Sequence, residues 1–266
     1  MTMKKYKSRV IVTACMAAMT LSGLAAAQST SESRGTEMQA STKTPDSKAE
    51  ANATKHVNDA VAVVRRMEST PGMANLLQKS KGVLIVPTYA RAAVGVGGSG
   101  GSGVLLVKKD DGTWSDPAFY NIGGISVGAQ VGAEGGPIAL VLNNDKAVNS
   151  FMQKNNFSVS ADAGLTVVNW TKVAQGSVGT GDVVAWAGTK GLFGNVASIG
   201  VNDIRFNQRE TDAYYQQTLT AKDVVGGKAT NPHADALRKA LAATAGTTSS
   251  GTSSGGSGSG PSGSDK

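Results

Sequence analysis

The stretch from Lys81 to Pro137 constrains this chain most, because glycine recurs through it among β-branched and leucine residues. It opens on KGVLIVP, passes through glycine and serine from Gly95 to Gly103, and continues as VLLVKKDDGTWSDPAFYNIGGISVGAQVGAEGGP. Glycine in a strand has no side chain to pack and costs backbone entropy, so its repetition marks bends, bulges or close approach of backbones. Val104 to Val107 is a short β run, and Asp110-Asp111-Gly112 is a turn signal that favours positive φ at the glycine. The pattern predicts a hairpin within a curved, Gly-rich antiparallel sheet or barrel-like core, in an α+β fold.

Helices are expected on both sides of this sheet. From Ala51 to Ser69, Val57, Ala60, Val61, Val64 and Met67 share one stripe at helical spacing, with Lys55, Asn58, Asp59, Arg65 and Arg66 opposite. Thr70-Pro71 predicts a cap and first turn for a second helix through Met73, Leu76 and Leu77 to about Ser80, which completes a helical hairpin. Beyond Pro137, IALVL reads as a strand, and Asn143-Asn144 as the cap of a helix with Ala147, Val148, Phe151 and Met152 inward. Phe157 to Val168 alternates as a strand does, and further strands are expected at Val183 to Ala187 and Phe193 to Phe206. Asn207 with Glu210 three residues later has the pattern of a capping box, leading a helix with Tyr214, Tyr215 and Leu219. Asn231-Pro232 starts a last helix to about Ala243.

The amino terminus reads as a secretory signal: Lys4, Lys5, Lys7 and Arg9, an apolar run from Val10 to Leu24, and Ala25-Ala26-Ala27 before Gln28. Cleavage after Ala27 is expected. Lipidation at Cys15 is disfavoured, because only five residues separate Arg9 from Cys15, fewer than the roughly 7 to 15 of an apolar core. The location expected from this leader is periplasmic or secreted. The 239 residues that remain of 266 have no cysteine, which removes disulfides and thiolate chemistry. The formal charge of +7 falls to +3 once the four basic residues of the leader are gone, so the chain lacks the basic stripes of a nucleic-acid binder. Residues 28–50 read as a disordered leader, 51–226 as one domain, 227–245 as a carboxy-terminal helix, and 246–266 as a Gly/Ser-rich disordered tail.

Candidate chemistry is sparse. Gly95-Val96-Gly97-Gly98-Ser99-Gly100 has glycines at dinucleotide-binding spacing, yet a β run follows where that fingerprint needs a helix, so no cofactor is expected. His56 and His233 stand apart from second ligands, which argues against a metal site and places both as solvated surface residues. Glu134, Asp162 and Asp182 would serve a hydrolase only if folding paired them; turn and edge positions suit them better. Trp114, Trp170 and Trp186 are expected to pack, with Asp116-Pro117 fixing the turn beside Trp114. Arg65, Arg66, Lys79, Lys81 and Arg91 lie on or beside the helical hairpin and its entry to the sheet. Four such contacts with an anionic membrane supply about 4 kcal/mol, only about millimolar affinity. An apolar segment inserting into the bilayer has to add the rest, and the helical stripe would either do that or pack on the sheet.

The motifs KGVLIVP (Lys81 to Pro87), Asp111-Gly112 before Trp114-Ser115-Asp116-Pro117, Gly128-Ala129-Gln130-Val131-Gly132 with Glu134, Leu140 to Asn144, Thr189 to Gly194, and an Asn207 helix with Tyr214-Tyr215 occur in that order. Over about Ala53 to Val225 the chain resembles the SYLF domain family. The resemblance implies a lipid-binding module and not an enzyme. Eukaryotic members bind phosphoinositides through their amino-terminal helical region, and yeast members also bind and bundle actin. Carried over by position, head-group contacts would fall on Lys55, Arg65, Arg66, Lys79 and Lys81. Many relatives have a Gly-Pro-x-Gly-Arg-like segment where this chain continues as Ala163-Gly164-Leu165-Thr166, so no role is carried over to that loop. An anionic phospholipid surface is the expected partner, an envelope protein the alternative, and actin follows from family analogy alone.

Overall fold

The structure is a computed structural model that describes residues 46–153, 155–159, 163–177, 179–189 and 203–246. Helix α1 runs from Ser47 to Glu68, with the Asp46 side chain accepting the Ala49 N–H at 3.1 Å. It therefore starts four residues before the expected Ala51, inside the predicted disordered leader, because Asp46 satisfies an amide that would otherwise be orphaned. Helix α2 spans Met73–Lys79 and not Thr70 to Ser80. Gly72, at φ 81°, occupies the cap position, and the Thr70 hydroxyl is used elsewhere: it donates to the Arg66 carbonyl and accepts the Trp186 indole N–H.

Two long strands follow, β1 from Gly82 to Val107 and β2 from Ala118 to Leu142. They pair antiparallel from Gly82↔Leu142 to Leu105↔Ala118, with register shifts between Val86 and Tyr89 and between Val94 and Val96. The glycine-rich run from Gly95 to Gly103 is part of one continuous strand, with the bulges its glycines mark. The Asp110 to Gly112 turn joins the pair as expected, with Gly112 at φ 81° and the Asp111 carboxylate accepting the Thr113 N–H at 2.8 Å. Strand β1 also curls onto itself. A Cβ at Gly103 would lie 2.2 Å from the Ile85 carbonyl oxygen, and one at Gly101 2.6 Å from that of Thr88. The Lys108 N–H donates to the Lys81 carbonyl at 2.8 Å, so the two ends of β1 lie together. Glycine here permits backbone contact that any side chain would block.

Helix α3 (Asp145–Gln153) starts from Asn144, whose side chain accepts the Ala147 N–H at 2.9 Å, and it buries Ala147 and Phe151 as its pattern predicts. The expected strand from Phe157 to Val168 is broken. β3 covers only Asn156–Phe157 and β4 only Val167–Asn169, with Gly164 at φ 59° between them. The short helix α4 (Trp170–Ala174) follows β4. β5 (Val183–Ala187) lies where expected; of the predicted Phe193 to Phe206 strand, β6 covers Asp203–Phe206 and residues 193–202 lie outside the described residues. The sheet order is β3-β6-β2-β5-β4, with β1 on β2, and β4–β5 is the parallel pair.

Helix α5 (Gln208–Tyr215) begins at Asn207, which accepts the Glu210 N–H at 3.2 Å. The other half of the expected capping box is absent, because the Asn207 N–H donates to Phe119 and Glu210 turns to His56 instead. α6 (Ala221–Val225) carries a complete capping box from Thr220 and Asp223. A 3₁₀ turn over Pro232–Ala234, capped by Asn231, leads into α7 (Asp235–Gly246).

The core lies between the sheet and these helices. α1 packs on β1, α5 and α7. It buries Ala49, Ala53, Val57, Ala60, Val63, Val64 and Met67. Phe151 packs edge-to-face on both Tyr120 and Phe157, with centroids 5.5 and 5.0 Å away. The Tyr120 hydroxyl donates to the Phe151 carbonyl at 2.8 Å, and burial pushes its pKa far above the usual phenol range.

Candidate functional site

The basic residues singled out from the sequence fall into two groups. Lys55 pairs with Asp59 one helical turn away, Lys81 with Asp145 at 3.8 Å, and Arg91 with Glu134 at 3.5 Å across the β1–β2 ladder. Arg65, Arg66 and Lys79 are exposed and make no ion pair among the described residues. Arg65 and Arg66 occupy the last turn of α1, where the negative end of the helix dipole favours cations. Lys79 ends α2.

Arg66 reaches into a cleft of about 280 Å³ between α1 and the sheet, with Asp59, Pro87, Thr88 and Pro137 among its walls. The arginine stem is held in place: its Cδ lies 3.3 Å from where a Cβ on Gly188 would sit, beside Pro137 and the Trp186 ring. Asp59, the acid in the cleft, is engaged by Lys55, so Arg66 supplies the uncommitted charge there. The arrangement suits an anionic oxygen group, which guanidinium donors match in charge and geometry.

The apolar stripe of α1 does not face outward. Val57, Val64 and Met67 have no exposed surface. Burying such side chains contributes about 1.5–3 kcal/mol each, as an upper figure. Moving them into lipid tails would exchange one apolar surrounding for another and gain nothing, so the helical stripe is not the insertion surface. Among the described residues no helix is long and apolar enough to cross a membrane.

Other sequence candidates turn out to hold the fold together. Glu134 faces Arg91. Asp182 accepts the Thr166 N–H and the Asn144 side-chain amide, both at 2.7 Å, and these bonds hold its carboxyl below the usual range. Asp162 lies outside the described residues. The expected solvated His56 is instead partly buried, its Nδ1 3.0 Å from Glu210 of α5, whereas His233 is exposed. Among the described residues no cluster of three His, Cys, Asp or Glu side chains could hold a metal. All three tryptophans are buried.

Two structural links escaped the sequence reading. Asp116, only 2% exposed, pairs with Arg238 of α7 at 2.8 Å and accepts the Asn231 N–H. Burial pushes its carboxyl up, and Asn231 and Arg238 pull it back down. The Lys108 ammonium donates to the Leu77 and Gln78 carbonyls at 2.8 and 2.9 Å, closing the end of α2, and lies 5.0 Å from the Trp114 ring centre. Neither partner was visible from local spacing, since Asp116 and Arg238 are 122 residues apart.

Residues 123–244 match the family model described as Ysc84, Las17-binding protein actin regulator. The human SH3 domain-containing YSC84-like protein 1 is 28% identical over 163 residues, 60% of this chain and 47% of its own length. Protein YSC84 of Saccharomyces cerevisiae is 29% identical over 176 residues, covering 64% of this chain and 37% of that protein. LAS seventeen-binding protein 3 of the same species is 29% identical over 178 residues, 64% of this chain and 38% of its own. The chain therefore spans less than half the length of these relatives. No solved structure matches.

Proposed function

We propose, from the match of residues 123–244 to the Ysc84 (SYLF) family model, that the chain is a binding module without catalytic activity that attaches to anionic phospholipid through Arg65, Arg66 and Lys79. The observation that carries this reading is the set of exposed cations at the ends of α1 and α2 with no acidic partner among the described residues. Lys55, Lys81 and Arg91 join as secondary contacts. Their solvent-accessible ion pairs, that of the half-buried Arg91 included, are worth about 0–1 kcal/mol and yield to a phosphate that offers as much. The signal-like leader of the sequence supports a periplasmic or secreted location for this work.

The test is co-sedimentation with neutral and anionic vesicles at low and high salt. Anionic vesicles should pellet the protein in a salt-dependent manner, because exposed charges are screened within about 8–10 Å. Arg65→Glu with Arg66→Glu removes four units of charge difference and should abolish pelleting. Binding that survives both high salt and the double reversal refutes the electrostatic reading.

A protein partner is the second reading, favoured by the family description and by a relative named for binding LAS seventeen. An envelope protein would then be captured by the chain while vesicles of every composition leave it in the supernatant.

A further inference from the structure

Charge on the hairpin supplies only about millimolar attachment, and the apolar stripe of α1 is committed to the core. Among the described residues, the large apolar side chains left exposed are Val96 at 63% and Ile125 at 80%. They lie on the paired strands β1 and β2. The register sets Val96 opposite Val127 and Gly98 opposite Ile125, so Val96 and Ile125 share a face of the β1–β2 ribbon as diagonal neighbours, roughly 7–8 Å apart. A Cβ at Gly98 would meet nothing within 4 Å, so the surface beside Ile125 is open.

The ribbon around them is uncharged. No Asp, Glu, Lys, Arg or His occurs from Ala92 to Val107 or from Pro117 to Ala133. Exposed strands of soluble proteins are usually blunted by charge, and here charge stops at the Arg91–Glu134 pair. The ribbon leaves the core just beyond Tyr89, and Thr88 and Pro137 at its base are among the walls of the Arg66 cleft. Val96 is eight residues beyond Thr88, at most about 26 Å of strand, so one membrane footprint can include both.

We propose that Val96 and Ile125 form a shallow apolar wedge that enters the interfacial layer of the bilayer while Arg65, Arg66 and Lys79 hold the head groups. The wedge rests on the lipid reading above and supplies the apolar contribution that the helix does not. Its depth is limited to the side chains, because a two-stranded ribbon driven into hydrocarbon would strand edge N–H and C=O groups. No bond is made or broken; the ligand is an anionic phospholipid surface.

The experiment uses the full chain with vesicles of phosphatidylglycerol in phosphatidylcholine. Val96→Ser with Ile125→Ser should weaken binding about thirtyfold while leaving its salt dependence unchanged. Ile125→Trp should be quenched by brominated acyl chains. Trp114, Trp170 and Trp186, all buried, should not be quenched in the wild-type chain. Wild-type pelleting that the double serine variant retains in full, with no quenching of Ile125→Trp, overturns the wedge and leaves the electrostatic reading standing. Failure of the wild type to pellet with any vesicle overturns both. A concentration-dependent dimer dissolved by Val96→Ser with Ile125→Ser, with vesicle affinity unaffected, would assign the apolar face to a second copy of the chain and overturn the wedge.

Discussion

Gly103 shows how one residue type fixes the shape of this protein. The Ile85 carbonyl oxygen occupies the space where a Cβ would be, at 2.2 Å, and the backbone on both sides is held in strand pairing. Gly103→Ala should therefore destabilise the domain by about 3 kcal/mol or more, because neither backbone can withdraw without breaking the ladder. Gly98→Ala meets nothing within 4 Å and serves as the control. Urea unfolding of the two variants measures the difference, and equal midpoints would mean that β1 does not close on itself. The sequence shows that glycine is dense here; it does not show which glycine carries the contact. That depends on where the strand bends.

Among the elements, α7 packs on α1 and α2, burying Leu237 and Leu241, and adds one long-range ion pair to that attachment. Its Arg238 meets the buried carboxylate of Asp116, which sits in the turn before β2, and Arg238 also pairs with Asp235 on its own helix. Arg238→Met leaves Asp116 buried with the Asn231 N–H as its remaining hydrogen bond of that link, and should cost about 3 kcal/mol in urea unfolding. Asp116→Asn in the Arg238→Met background should restore part of that loss, because the uncompensated charge is gone. A further loss on adding Asp116→Asn would show that the residue acts through geometry and not through charge. The helix itself was legible from Asn231-Pro232 onward, because caps are local. Its docking partner was not, since nothing near Arg238 in sequence points to the Trp114 to Pro117 motif.

For the whole molecule, the decisive fact is that α1 is already folded against β1, α5 and α7 before any ligand arrives. Binding to vesicles should then leave the far-ultraviolet circular dichroism of the protein essentially unchanged. A gain equivalent to the 22 residues of α1 would mean that the helix forms on the membrane, contrary to this packing. The sequence by itself determined the α+β class, the helical periods, the caps at Asn144, Asn207 and Asn231, the glycine-rich ribbon and the family resemblance, because each is written in local spacing or in ordered motifs. Tertiary structure alone decided that the α1 stripe faces inward, that Glu210 serves His56 in place of its own cap, and which apolar side chains remain exposed. An amphipathic helix has the same pattern whether its apolar face meets a sheet or a membrane, and His56 and Glu210 are 154 residues apart. Burial is a property of what the rest of the chain brings alongside, which no window of sequence contains.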